Sequence, residues 1–257
     1  MAWAADLIGH QWDAIFLLIA SPFVGSFLGL LAHRLPEHED VVFKRSHCRA
    51  CGKPLEILEL IPIFSYLRQR GKCRACGAPI PFTYPLIEVG AVLITLSALY
   101  FTQSWILLAT CGLGWALLAA AAADLRVFIL PNVITLPLIP AGLAVIYFAA
   151  PNEFLAHVLG AAAGGASLYL LDLAYRSARG RAGLGMGDVK LLAGAGAWLG
   201  WTYLPWVVLI ACVLGLAGVL VLKFSGRSIN GTTPLPFGAP LAASFFALWI
   251  HFAAQLS

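Results

Sequence analysis

Apolar residues in this chain do not alternate with polar ones, and they rarely yield a polar helical face. They run in windows of roughly 20 residues, long enough to cross about 30 Å of hydrocarbon as helices. Eight windows can be marked, at about 13–33, 84–101, 104–123, 132–150, 154–175, 189–203, 205–222 and 236–255. The sixth is the shortest and is rich in glycine. The windows leave one large polar insertion, 34–83, and a second polar loop at about 176–188. The pattern predicts an all-α polytopic membrane protein of about eight transmembrane helices, with a small cytoplasmic module between the first two. Three regions follow: a first helix in 1–33, a loop domain in 34–83, and a seven-helix membrane domain in 84–257.

Composition agrees. Of 257 residues, 61% are hydrophobic and only 11% charged, against about a quarter charged in soluble domains. No basic segment with a short apolar run and cleavage site precedes the first window, so it is expected to remain as a helix. Charge then sets direction, because cytoplasmic loops collect Lys and Arg. With the amino terminus outside, the inner segments hold all 16 basic residues. The large loop carries Arg34, Lys44, Arg45, Arg49, Lys53, Arg68, Arg70, Lys72 and Arg74. The later turns carry Arg126; Arg176, Arg179, Arg181 and Lys190; and Lys223 and Arg227. The net charge of +4 suits an anionic leaflet and needs no nucleic acid. Runs such as AAAAAD and GAAAGGAS suit close helix packing, where small residues let backbones approach.

The large loop contains HCRACG at 47–52 and KCRACG at 72–77. Paired Cys-x-x-Cys spacing at Cys48, Cys51, Cys73 and Cys76 suits a tetrahedral zinc ion. Disulfides or free thiols are the alternative, but a cytoplasmic loop is a reducing place. Four sulfur ligands leave no open position, so the metal is read as structural. The Gly after each second Cys permits the tight turn. Cys111 and Cys212 read as packing residues within spans. The segment EILELIPIFSYLRQRG (56–71) reads either as a short helix or hairpin at the membrane surface or, slightly favoured, as core for the metal module.

Of the 12 acidic residues, four fall at or near membrane depth: Glu88, Asp124, Asp172 and Asp188. An ionisable group there is costly and is a functional hypothesis by default. Asp124 closes the third window and Asp188 opens the sixth, both on the inner side. If packing joins them, they share a proton, as in an aspartic protease: one carboxylate activates water and the other protonates the leaving group. Gly185 and Gly187 allow unusual backbone angles and close approach by another chain. The loop GLGMGDVK (183–190), with Gly185, Gly187 and Lys190, is therefore read as a substrate-facing hinge that delivers Asp188. A plain helix N-cap remains the alternative for Asp188. Asp172 reads as structural, paired with Arg176 at i, i+4. Glu88 is open between a structural and an accessory role.

With these residues in view, the chain resembles the type IV prepilin leader peptidases, which are also N-methyltransferases and share GxGD with other membrane aspartic proteases. The resemblance rests on GSFLGLLAHRLP (25–36), the two Cys pairs, IPIFSYL (61–67), GKCRACGAPIPFTYPLIE (71–88), ADLRVFILPNVITLPL (123–138), GLGMGDVKLLAGAGAWLG (183–200) and PFGAPLA (236–242). It implies an endopeptidase that cuts prepilins and type II secretion pseudopilins after a Gly, at the cytoplasmic face of a bacterial inner membrane. The matching catalytic pair is Asp124 and Asp188. It further implies methylation of the new amino terminus with S-adenosyl-L-methionine, an activity associated with the amino-terminal loop. The chain departs from the family at Asn132, where LPD is common, at Gly29, where Asn is common, and at Leu60, where ENIP is common. Asn132 keeps a polar acceptor and is a possible accessory residue. A proton-coupled transporter, or a non-enzymatic assembly scaffold for pilus or secretion, is the competing class.

Overall fold

The computed structural model describes residues 2–37, 39–40, 45–180, 183–225 and 235–256. Lys44, Arg181 and Arg227 lie outside them. The long elements are all helices: α1 (Ala2–Arg34), α2 (Phe64–Arg68), α3 (Thr83–Phe101), α4 (Ser104–Val127), α5 (Asn132–Ala149), α6 (Phe154–Arg179), α7 (Met186–Leu199), α8 (Leu204–Phe224) and α9 (Gly238–Leu256). Seven are long and apolar enough to span a bilayer, namely α1, α3, α4, α5, α6, α8 and α9. The protein is a multi-pass membrane protein.

The sixth expected window is the exception. Helix α7 has 14 residues, about 21 Å at 1.5 Å per residue. It begins before position 189 and stops at Leu199, where Gly200 takes φ +77°. Its length is free of the bilayer because it does not face lipid: Leu191, Leu192, Ala195, Ala197 and Leu199 are fully or almost fully buried, and α5, α6, α8 and α9 all pack on it.

The chain forms two compact units, Met1–Tyr100 and Phe101–Ser257. In the first, α1 lies so close to α3 that a Cβ on Gly25 would come 2.6 Å from the Glu88 backbone. His33 and Tyr84 stack between the same helices, with centroids 4.6 Å apart. The apolar segment 56–71 forms a single 3-10 turn and the short α2. Only part of it turns inward, with Pro62 buried and Ile61, Ile63 and Tyr66 half-buried. Ile57, Leu58, Leu60, Phe64 and Leu67 are all exposed, a set of side chains available to a membrane surface. Cys111 is buried as expected, but Cys212 is exposed on α8.

In the second unit, α7 is the axis. Between α6 and α7 the glycines act by absence. A Cβ on Gly160 would lie 2.5 Å from the Gly196 carbonyl, one on Gly164 would lie 2.5 Å from that of Leu192, and Gly196 meets Gly160 in return. Gly160 and Gly164 are the small-xxx-small spacing that lets two backbones touch. On the other side, the Trp198 indole fits against Gly142 and donates to the Leu138 carbonyl of α5 at 2.8 Å. Trp198 meets Trp249 edge to face at 4.8 Å, and Trp249 donates to Thr110 of α4 at 3.0 Å. This chain of contacts ties α5, α7, α9 and α4 together. Lipid gives helices no hydrophobic reason to associate, so packing and bonds of about 0.6–2 kcal/mol each carry the assembly.

Replacing Gly196 with Leu should force α6 and α7 apart. Overpacking of this kind costs up to about 3 kcal/mol, and thermal unfolding in detergent should show the loss directly.

Candidate active site and metal centre

Helix α4 ends because Phe128 turns into the left-handed region at φ +56°, with its N–H on the Asp124 carbonyl. The chain then runs through Leu130 to Pro131, which restricts the residue before it to extended conformations. Pro131 is the N-cap of α5. Asp124 is thus one turn above a sharp reversal, and it is 5% exposed. Its Oδ2 accepts the N–H of Ala239 at 2.8 Å and a second N–H from Gly238. Both belong to the first turn of α9, where backbone donors lack intrahelical partners. Position 238 favours glycine: a Cβ there would crowd the Asp124 carboxyl at 3.0 Å and the end of the Leu130 side chain at 2.8 Å.

Asp188 stands in the first turn of α7 and is 8% exposed. The N-cap of α7 is Gly185, so Asp188 is not the cap but the third helical residue. Its carboxylate reaches back to the Gly185 N–H, as the acid of a capping box does. Asp124 is near enough for its charge to act on Asp188. The structure therefore brings together the two carboxylates that lay far apart in sequence. Two helix N-termini, of α7 and α9, converge on them with the positive ends of their dipoles.

The glycines of the GLGMGD loop have a different reason from the expected one. Neither Gly185 nor Gly187 has positive φ among the described residues. Gly187 is required because a Cβ there would come 2.7 Å from Leu130 Cβ. Its close approach is to this chain's own LP turn. Gly185 is exposed. Lys190 does not extend from the loop either: its Nζ donates to Asn132 Oδ1 at 2.7 Å. Two residues singled out separately thus form one clasp between α5 and α7.

Asp172 takes the expected bond from Arg176 Nε, at 2.6 Å. Its other oxygen does more, accepting the N–H groups of Gly183 at 3.0 Å and Leu184 at 3.1 Å. The end of α6 thereby fastens the loop that leads to Asp188. Sequence reasoning missed this, as it missed Gly238 and Ala239. The PFGAP stretch, where a glycine sits at a helix start, was the only signal available for the latter.

In the first unit, Cys48, Cys51, Cys73 and Cys76 bring their sulfurs within 4.8 Å of one another, and Cys48 and Cys76 are 3.9 Å apart. Tetrahedral ligation at 2.3 Å from sulfur to metal requires about 3.8 Å, so the cluster is sized for a metal ion. Each Cys-x-x-Cys forms the same knuckle. Gly52 donates to the Cys48 carbonyl and Gly77 to that of Cys73, and both glycines have φ +72°. The backbone N–H groups of Cys51 and Ala50, aimed at the Cys48 sulfur, hold its pKa down to about 6. Glu88 lies in the same unit, on α3. It is 6% exposed and accepts the Ile63 N–H at 2.6 Å.

A multi-pass helical protein with a buried carboxylate pair at helix ends and a four-thiol loop is the class that fold and site define. The chain belongs to the type IV leader peptidase family. That family matches residues 111–220, and the bacterial Peptidase A24 N-terminal domain matches 19–102. Similar proteins named prepilin leader peptidase/N-methyltransferase occur in Burkholderia pseudomallei strain 1026b (40% identical, covering 94% of this chain and 86% of the relative) and Aeromonas salmonicida strain A449 (35%, covering 94% and 91%). A third is from Pseudomonas putida (36%, covering 92% and 90%). No solved structure matches.

Replacing Cys51 or Cys76 with Ser should release the metal and unfold the knuckles. Elemental analysis should show the loss of metal, and limited proteolysis should show new cuts between the two Cys pairs. A chelator should do the same to the unaltered chain.

Proposed function

We propose that this protein is a membrane aspartic endopeptidase that removes the leader of prepilins and of type II secretion pseudopilins, then N-methylates the new amino terminus. The observation that carries the reading is the joining of Asp124 and Asp188, both buried and both furnished with backbone N–H donors. Two buried carboxylates that feel each other's charge share a proton when substrate chemistry draws them together. One draws a proton from water as it attacks the scissile carbonyl, and the other protonates the departing amine. Gly185, the exposed residue beside Asp188, leaves room for an extended substrate backbone.

The site lies at the cytoplasmic face of the bacterial inner membrane with the amino terminus outside, an orientation that the distribution of Lys and Arg supports. Water is available at that depth. The apolar amino-terminal helix of a prepilin lies in the bilayer and presents its leader junction to the pair. The four thiols hold zinc in a closed, structural site. S-adenosyl-L-methionine supplies the methyl group. A proton-coupled transporter would place its carboxylates along a path through the bilayer, whereas these stand at the ends of α4 and α7.

Asp124→Asn and Asp188→Asn keep the shape of each side chain but remove the acid–base function. Each should lower cleavage of a prepilin substrate by about 10²–10⁴-fold while metal content and thermal unfolding stay near wild type. Normal cleavage by both variants would overturn the reading. Lys190→Met, which breaks the clasp to Asn132, should act through position alone. The expected result is roughly a tenfold fall in kcat with KM little changed. Asn132→Asp, which keeps a partner for Lys190, should cut at close to the wild-type rate.

A further inference from the structure

Three successive backbone N–H groups lead into α7, and each has a carboxylate as its acceptor. Gly183 and Leu184 donate to Asp172 Oδ1 at 3.0 and 3.1 Å, and the Gly185 N–H turns to Asp188. One short loop is thus shared between a carboxylate of α6 and a carboxylate of the buried pair. The place of Gly185 depends on the two residues before it, and those are held from α6.

Asp172 is a costly residue for that position. It is 2% exposed and belongs to a helix long and apolar enough to span a bilayer, where an ionised group is unfavourable. The two loop N–H groups and Arg176 Nε offset that cost. Helix α6 does not need Asp172 in order to end: Gly180 takes φ +68° and returns its N–H to the Arg176 carbonyl. What the carboxylate holds is the loop. A second contact runs the same way. A Cβ on Gly183 would lie 2.5 Å from Tyr175 Cδ1, so the loop backbone rests against that ring. Asp172, Tyr175 and Arg176 are three and four residues apart and share one face of α6. Two of them touch the loop, and the third holds the carboxylate that does.

We propose that Asp172 is a positioning residue for the peptidase reaction: by holding Gly183 and Leu184 it keeps the Gly185 N–H on Asp188 and fixes that carboxylate opposite Asp124. The inference rests on the reading of Asp124 and Asp188 as the catalytic pair. Asp172 acts through the loop backbone and not on the reacting atoms. Asp188 faces Asp124 of α4, with Arg126 two residues further along that helix. Helix α9 brings the N–H groups of Gly238 and Ala239, which go to Asp124. Lys190 is turned to Asn132 of α5, Arg176 to Asp172 on α6, and Lys223 of α8 is exposed in the last turn of that helix. The Gly185 N–H is therefore the donor that favours the ionised form of Asp188. Releasing the loop withdraws that support, and Asp188 then holds its proton to higher pH.

Asp172→Leu removes both loop bonds. With a prepilin substrate, kcat should fall about 10–100-fold with KM little changed. The acid limb of the pH profile of kcat/KM should move up by about half to one unit. Asp172→Asn keeps an oxygen for Gly183 and Leu184, while the Arg176 side chain, 48% exposed, can turn to water. It should recover most of the lost rate and return the limb to its place. A wild-type rate in Asp172→Leu, a fall in rate with the limb unmoved, or an Asn variant as impaired as the Leu variant would each overturn the inference. Hydrogen exchange of the wild-type chain depends on no variant folding. The amides of Gly183, Leu184 and Gly185 should exchange far more slowly than in an unstructured chain, and free exchange there would also overturn it. The two readings fail separately. If Asp124→Asn and Asp188→Asn cut prepilin normally, the catalytic pair is lost and the inference with it. If those variants are inactive while Asp172→Leu behaves as wild type, the inference alone falls.

Discussion

Repulsion between two buried carboxylates is the constraint that the second unit is built to satisfy. Asp124 and Asp188 are each removed from water and each within reach of the other's charge. Apolar helices alone would not keep them there. The fold provides N–H donors from the start of α9 to Asp124 and from Gly185 to Asp188. These donors belong to helix N-termini, where they have no intrahelical partner to lose. Three helix ends must therefore meet at one point: the last turn of α4 and the first turns of α7 and α9.

The rest of the packing can be read as what fixes those ends. Helix α7 is short, central and cleared of side chains where α6 crosses it. The two tryptophans bind it to α5 and α9 at its far end. At its near end the Lys190–Asn132 clasp and the Leu130–Gly187 contact set its distance from the LP turn. Asp172 fastens the loop before it. Fixing a short helix at both ends holds its first carboxylate in one position.

The first unit meets a different constraint. Its loop leaves Ile57, Leu58, Phe64 and Leu67 exposed, so it has little core of its own. Four thiols are placed to hold one metal ion, which would provide the cohesion that burial does not. The two knuckles were legible in the sequence because they are local. Ligand, turn and positive-φ glycine all fall within six residues, and their backbone bonds do not depend on distant packing. The i, i+4 bond of Arg176 to Asp172 was legible for the same reason.

What the sequence determined by itself was therefore the periodic and the local. Apolar windows of bilayer length fixed the helices, the basic residues suggested their direction, and the Cys-x-x-Cys-Gly pairs fixed the metal site. It also named Asp124 and Asp188, because a carboxylate at membrane depth is conspicuous. Tertiary structure decided what depends on residues far apart in the chain. It set where α7 begins and ends, which a helix sheltered from lipid need not match to the bilayer. It decided that Gly187 answers to Leu130, that Lys190 answers to Asn132, and that Asp124 caps a helix starting more than a hundred residues later. Such contacts arise from the packing of whole helices, and no pattern within a single helix encodes which partner will stand opposite.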